Sequence, residues 1–462
     1  MLYSMKHGVI GSGPCGALAA LLLLEAGFAV DLIDVDNNQK IDDPDLKSKL
    51  KLIDGDSSPY DINQILEVEV DGKPATFYRS KVEAGFSKVW GATWNSPLVS
   101  LEDSWYRNYS KVDEIVSRNL FGYPVNLDAD LANACGCDCL SFLMNYKISG
   151  NEALRISDLA VRNLSCGCVA SGKSICIHGS VWNSTYLIRE CEKFEKFTFR
   201  KGVDVTALTF EKDGILIDNS SGSLKYESIT LAAGPLGTAE ILLASFNAIV
   251  EIDLNETRMG FIPFFRHKLN TGHVGAFAFS QFKFDLKDEK DLVVAHVQLY
   301  AHSELYSERI KGKFPAILVP FVGQLIKFLT PHMGIAIIYL NSNYSESLKV
   351  GKSSVSRKLL VGLVEPKIND LKMSQRIWSS FRRLGLFPLI PALSWAEPGE
   401  SYHLGAEHDL LDDFGFLKAD KRVSVAGSFA LPVILPGPLT HAAMAQSSRL
   451  VEKIIHQNFE SI

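Results

Sequence analysis

The 462-residue chain lacks any run of 18 or more apolar residues, so no membrane-spanning helix is expected. It also lacks a basic excess. Forty-seven Lys and Arg stand against 53 Asp and Glu, for a net charge of −6, which excludes a protein whose main task is wrapping nucleic acid. Cysteine is sparse, at 8 positions, which excludes a small disulfide scaffold. There is no collagen-like repeat, low-complexity tract or internal repeat. What remains, 47% hydrophobic and 22% charged, suits a globular chain of two or three domains. The hydrophobic share leaves a peripheral membrane contact open. The apolar run at 17–24 imitates a signal peptide, but the glycines before it and the absence of a small-residue cleavage pattern favour a helix behind a glycine turn. The cytoplasm is the expected location.

Residues 7–36 read as strand, glycine turn, helix and buried second strand. Residues 37–75 are polar and charged and read as an exposed excursion. The segment 83–97, rich in Gly, Ser and Trp without helical or strand period, reads as an ordered loop against a ligand. Residues 100–165 look helical. From about 199 the chain is β-rich, with turns at Lys212-Asp213-Gly214 and Ser220-Ser221-Gly222. A buried strand then ends at Gly234, with a helix from about Gly237. Residues 255–400 form a block rich in Phe, Tyr and His, and the last forty return to strand, loop and helix.

Gly11-Ser12-Gly13-Pro14-Cys15-Gly16 fits G-x-G-x-x-G in the required setting, with a strand before and a helix after. The first glycine permits the tight turn, the second lets a pyrophosphate approach the backbone, and the third allows close helix–strand packing. The helix N-terminus adds amides and a positive dipole. Asp34 ends the second strand, where a carboxylate accepts from adenosine ribose hydroxyls. A second nucleotide-type strand and turn, Ile229–Gly234, arrives some 200 residues later, and a third at 423–432. A long cofactor in a discontinuous domain, FAD rather than NAD, fits that spacing.

These blocks resemble the glucose–methanol–choline (GMC) flavin oxidoreductases, pyranose-oxidase-like or cholesterol-oxidase-like members above all. The resemblance rests on 11–34, on Gly85-Phe86-Ser87-Lys88-Val89-Trp90-Gly91, on Leu231-Ala232-Ala233-Gly234-Pro235-Leu236-Gly237-Thr238, and on His403-Leu404-Gly405 with Val425–Ser428 and Pro438–Met444. It implies an α/β (α+β) fold: a discontinuous Rossmann-type FAD-binding domain with an inserted antiparallel-sheet substrate domain. The expected boundaries are 1–250 for the FAD-binding domain, with a cysteine-rich excursion at about 130–180, then 251–400 mainly for the substrate domain, and 401–462 for the return. The implied cofactor contacts are Gly11, Gly13, Pro14, Cys15, Gly16, Asp34, Gly85, Ser87, Trp90, Gly91, Val205, Ala233, Gly234, Gly427, Ser428, Leu439 and Thr440. A plain strand valine is the other reading of Val205. The histidine through which pyranose oxidases attach FAD falls at Val89, so non-covalent FAD is expected. The chain also departs from the family at Ala84-Gly85, where two glycines are usual. Gly427-Ser428 stands where an acid is usual, and Ala406-Glu407 follows the histidine motif.

Oxidising an alcohol onto a flavin needs a base for the hydroxyl proton while a hydride moves to N5, and histidine suits that task. The resemblance places His403 in this role, with His441 as its assistant once a short gap is allowed and His408 in reserve. The expected donor is a CH–OH group of a sugar, polyol or other secondary alcohol, and the electron acceptor is not specified. A flavin-binding assembly protein without turnover and a redox-neutral isomerase are the alternatives. Six cysteines, at 135, 137, 139, 166, 168 and 176, read as structural thiols ahead of zinc or an iron–sulfur cluster, so no metal ligands are assigned. Phe261, Phe264, Phe265, Phe277, Phe279, Phe282, Phe284 and His273 read as sheet and core, or as a substrate wall. The apolar stretch 314–340 reads as a buried helix pair ahead of a membrane-dipping lid.

Overall fold

The computed structural model describes residues 6–35, 63–70, 73–88, 90–94, 103–119, 155–157, 159–160, 181–219, 222–266, 280, 282–290, 292–301, 323–324, 332–352, 359–364, 370–396, 404–406, 409–431 and 433–460. His403, His408, Phe277, Phe279, His273 and the six clustered cysteines lie outside them.

Five parallel strands make the sheet that positions the site: β1 (Lys6–Ile10), β2 (Ala29–Asp34), β3 (Phe197–Lys201), β4 (Ser228–Leu231) and β5 (Val423–Val425), in the order β5-β4-β1-β2-β3. Segments from the start, middle and end of the chain thus lie side by side, which is the discontinuity that the spacing implied. Among the described residues the α-helices include α1 (Pro14–Glu25), α2 (Asp103–Asn119), α3 (Thr185–Cys191), α4 (Gly234–Ser245), α5 (Asp370–Arg383) and α6 (Thr440–Glu460). Helix α1 is apolar on every side, with residues Gly16 to Leu24 all buried, because it is enclosed by the parallel sheet, α3 and α6.

The rest is largely antiparallel. Strands Met259–Arg266, Phe282–Lys287, Val293–Ala301 and Met333–Leu340 form the centre of a seven-stranded sheet. Met373, Ile377 and Phe381 of α5, spaced at one helical stripe, cover one face and meet Phe264 and Phe284 there. A six-stranded sheet joins Glu251–Glu256, Ser347–Lys352, Leu359–Val364 and Leu404–Ala406 to the hairpin Asn63–Val70 and Lys73–Ser80. A three-stranded meander occupies 207–226. The architecture is mixed α/β, a parallel sheet with separate, mainly antiparallel sheets.

Two expectations need correction. Within the 37–75 segment expected as an excursion, Asn63–Val70 and the start of Lys73–Ser80 belong instead to a strand hairpin; in the sequence Leu66, Val68 and Val70 alternate with Glu67 and Glu69, the period of a strand. Met333–Leu340 is a strand, not part of a helix pair, since a continuous apolar run does not by itself separate the two states and Ile335, Ile337 and Ile338 favour extended backbone.

Candidate functional site

A cavity of about 290 Å³ opens at the carboxyl ends of the parallel strands, near the lower end of the ~300–1,000 Å³ range of small-molecule sites. Its floor is the turn between β1 and α1. Gly11 has φ +105°, and a Cβ there would meet the Ala232 carbonyl oxygen at 2.3 Å. A Cβ on Gly16 would lie 1.9 Å from the Gly11 carbonyl oxygen, so this glycine brings α1 onto the turn. Gly13 differs: its backbone is extended, and a Cβ would meet nothing within 4 Å. The space beside Gly13 belongs to the cavity.

Three helices begin at this space. Gly13 and Pro14 of α1, Gly234 and Pro235 of α4, and Leu439 and Thr440 of α6 all line it. None of the three helices carries an acid in its first turn, and neither α1 nor α4 has a side-chain cap. Each N-terminus carries roughly half a positive charge, and its first amides lack partners within the helix. The convergence therefore favours an anion. Burial pushes the Cys15 thiol up to about 12, with a Ser447 hydrogen bond opposing, so Cys15 presents no negative charge to such an anion.

Buried serines fix the loop above the turn. The Ala84 amide donates to Ser12 Oγ (3.0 Å), Ser87 Oγ donates to the Ala84 carbonyl (2.6 Å), and the Ser184 amide donates to Ser87 Oγ (3.0 Å). Ser184 Oγ lies 3.1 Å from the Ser12 carbonyl. Ala84 and Gly85 both adopt positive φ, +67° and +54°. Gly85 then lies over the turn, where a Cβ would come 3.7 Å from Gly13 Cα.

At the end of β2 the Ser12 amide donates to Asp34 Oδ2 (2.6 Å), and Val203 N donates to the Asp34 carbonyl (3.1 Å), which brings 203–205 alongside. Two ion pairs border the cavity: Arg79 with Glu240, and Lys81 with Asp204 at 3.2 Å. Gly427, with φ +95° and ψ −162°, turns β5 over Cys15.

Of the expected contact residues, Gly11, Gly13, Pro14, Cys15, Asp34, Gly85, Ser87, Trp90, Val205, Ala233, Gly234, Gly427, Ser428, Leu439 and Thr440 line this one cavity. Gly16 lies just beneath it, and Gly91 is exposed. His441 follows Thr440 but is not among the lining residues. It is 1% exposed, stacked on Trp94 at 4.4 Å between ring centroids, with Nε2 3.1 Å from Asp113 Oδ1. Trp94 Nε1 donates to the same carboxylate oxygen (2.6 Å). Ser12, Ser184 and the two ion pairs escaped the sequence reading. Serine is too common to stand out, and pairs more than 100 residues apart leave no local pattern. Among the described residues no group of three His, Cys, Asp or Glu is placed to hold a metal ion, and no helix is long and apolar enough to cross a membrane.

No protein-family model and no curated protein matches the sequence. Among solved structures the chain is similar to pyridoxine 4-oxidase from Mesorbium loti, with a TM-score of 0.61 and 14% identity over 98% of this chain and 99% of that one. The likeness is one of fold.

Proposed function

We propose that the chain is an FAD-dependent oxidoreductase that oxidises a CH–OH group of a sugar, polyol or other secondary alcohol. The observation that carries the reading is the open space beside Gly13 where three acid-free helix N-termini meet. A pyrophosphate fits that chemistry: two negative charges, no side chain in the way and unspent amides. Asp34 suits the ribose hydroxyls and Val205 the adenine edge. The loop 84–91 and Gly427–Thr440 would hold the remainder, without a covalent bond. The fold shared with an oxidase acting on pyridoxine extends the reading from binding to redox chemistry.

Bound FAD supplies an N5 atom that accepts a hydride from carbon. His403, immediately before the strand Leu404–Ala406, takes the hydroxyl proton as the C–H bond breaks, so one carbonyl forms for each two-electron reduction. Electrons then leave to an acceptor of another kind. His441, packed on Trp94 and Asp113, favours a second reading in which flavin binds without turnover.

The test is an absorption spectrum of the purified protein before and after acid precipitation, followed by anaerobic addition of glycerol, sorbitol and glucose. The expected result is a set of oxidised-flavin bands that pass into the supernatant, with bleaching by at least one alcohol. Protein that stays colourless after FAD is added overturns the reading. A flavin that no alcohol bleaches leaves the binding reading alone standing.

A further inference from the structure

Along Phe282–Lys287 and Val293–Ala301, the face of the seven-stranded sheet opposite α5 is polar, although it is buried. Phe282, Phe284, Leu286, Val297 and Leu299 point to the apolar core. Alternation sends Lys283 and Asp285 to the other face, together with His296, Gln298 and Tyr300 of the neighbouring strand. Lys283 is 3% exposed, His296 1% and Gln298 0%. Such groups are rarely retained in an interior without partners.

Their hydrogen bonds are arranged but incomplete. Asp285 accepts from His296 Nδ1 (2.7 Å) and from Arg155 (2.6 Å). Because a carboxylate only accepts, Nδ1 carries the proton and the neutral ring presents a lone pair at Nε2. Burial holds His296 below the ordinary histidine range, with Asp285 opposing, which keeps the ring neutral. Tyr300 Oη donates to Gln298 Oε1 (2.6 Å), which fixes the amide and turns its NH₂ away from the tyrosine. His296 Nε2 and Gln298 Nε2 are both buried and have no partner. One is an acceptor and the other a donor. They stand on alternate residues of one strand face, with Cα atoms about 6.7 Å apart.

We propose that His296 and Gln298 form a binding site for a hydroxyl group of a polyol, the hydroxyl donating to His296 Nε2 and accepting from the Gln298 amide. A hydroxyl, like a water, answers an acceptor and a donor at once. A carboxylate would meet the His296 lone pair with repulsion, and an ammonium would leave the Gln298 amide unanswered. A buried group left unanswered is costly, so a ligand that bonds both nitrogens is favoured there. The site rests on the oxidoreductase reading only for the claim that this polyol is the substrate, the hydroxyl here being additional to the one oxidised.

Glycerol, the smallest polyol, is the probe. Crystals of the flavin-loaded protein soaked in glycerol should show one hydroxyl within hydrogen-bond distance of both nitrogens. In solution, the Nε2 resonance of ¹⁵N-labelled His296 should move as glycerol is added, and Gln298→Leu should weaken that response roughly tenfold. An ordered water only, or a dry gap, in the soaked crystal would overturn the site, as would a resonance that glycerol leaves still. The wild-type measurements stand even if the variant misfolds. A colourless protein that still binds glycerol here would defeat the flavin reading alone, whereas a flavin-loaded protein with water at His296 would defeat this proposal alone.

Discussion

Two glycines three residues apart should fail in opposite ways. In Gly16→Ala the new Cβ would arrive 1.9 Å from the Gly11 carbonyl oxygen and 3.0 Å from Ala232 Cβ. A carbon and an oxygen need more than 3 Å, so α1 must lift from the turn by over 1 Å, and the obstacle is backbone. Overpacking of that kind costs ~3 kcal/mol, about 3 °C in melting temperature for a chain of this length. In Gly13→Val the Cβ meets nothing within 4 Å and the extended backbone accepts any residue, so the apo-protein should melt within ~1 kcal/mol of wild type. The valine instead occupies the phosphate position. Losing two charge-assisted bonds to the amides of Cys15 and Gly16 removes ~3–6 kcal/mol, which weakens FAD by roughly 10²–10⁴-fold. The assay compares flavin absorbance per protein with the melting temperature of flavin-stripped samples, because bound ligand would itself raise the latter. Full flavin occupancy in Gly13→Val would refute the assignment of this space to the pyrophosphate. A flavin-stripped Gly16→Ala protein as stable as wild type would refute the packing argument.

His403→Ala should slow anaerobic flavin reduction by roughly 10²–10⁴-fold while the bound absorbance stays, and an unchanged rate would remove this histidine from the mechanism. Gly427→Ala places a side chain at φ +95°, ψ −162°, a region nearly closed to L-residues, with its Cβ 3.2 Å from Cys15 Sγ; a loss of roughly 1–3 kcal/mol in denaturant unfolding is expected, and none would contradict the geometry. Burial lowers His7 to about 4, where its ring bonds Thr230 and Ser228 at 2.7 Å each. Because the unfolded chain takes up this proton near pH 6.5 and the folded chain does not, stability falls as pH drops from 6.5 to 4, by ~3 kcal/mol. The difference between wild type and His7→Asn should shrink over that window, and a constant difference would show that His7 is not the group responsible.

The parts of the site that could be read in the sequence are those whose physics is local. Gly11, Gly13 and Gly16 stand apart through spacing alone, and the structure gives them a tight turn, an open space and a packing contact respectively. The three strand-turn-helix entries were likewise legible, because a buried parallel strand and a glycine-led helix start both leave short-range marks. The hairpin at 63–80 left its mark too, as alternation, but the high charge of the surrounding segment hid it. Contacts between distant segments left none: Ser12, Ala84, Ser87 and Ser184 meet across 172 positions through the most ordinary of side chains. Ala84 shows where a departure from a family pattern acquires meaning. The glycine usual in the resembled pattern falls at a backbone of φ +67°, and here an alanine, fully buried and held by Ser12 and Ser87, keeps that strained conformation. His441 shows the limit of position along the chain. Thr440 reaches the cavity, but one residue further along a helix turns the side chain by about 100°. That rotation delivers His441 to Trp94, Tyr109 and Asp113 instead. A histidine one place from the cavity lining thus packs into the interior instead, and among the described residues only the sheet face at His296 and Gln298 offers an imidazole nitrogen that is buried and still without a partner.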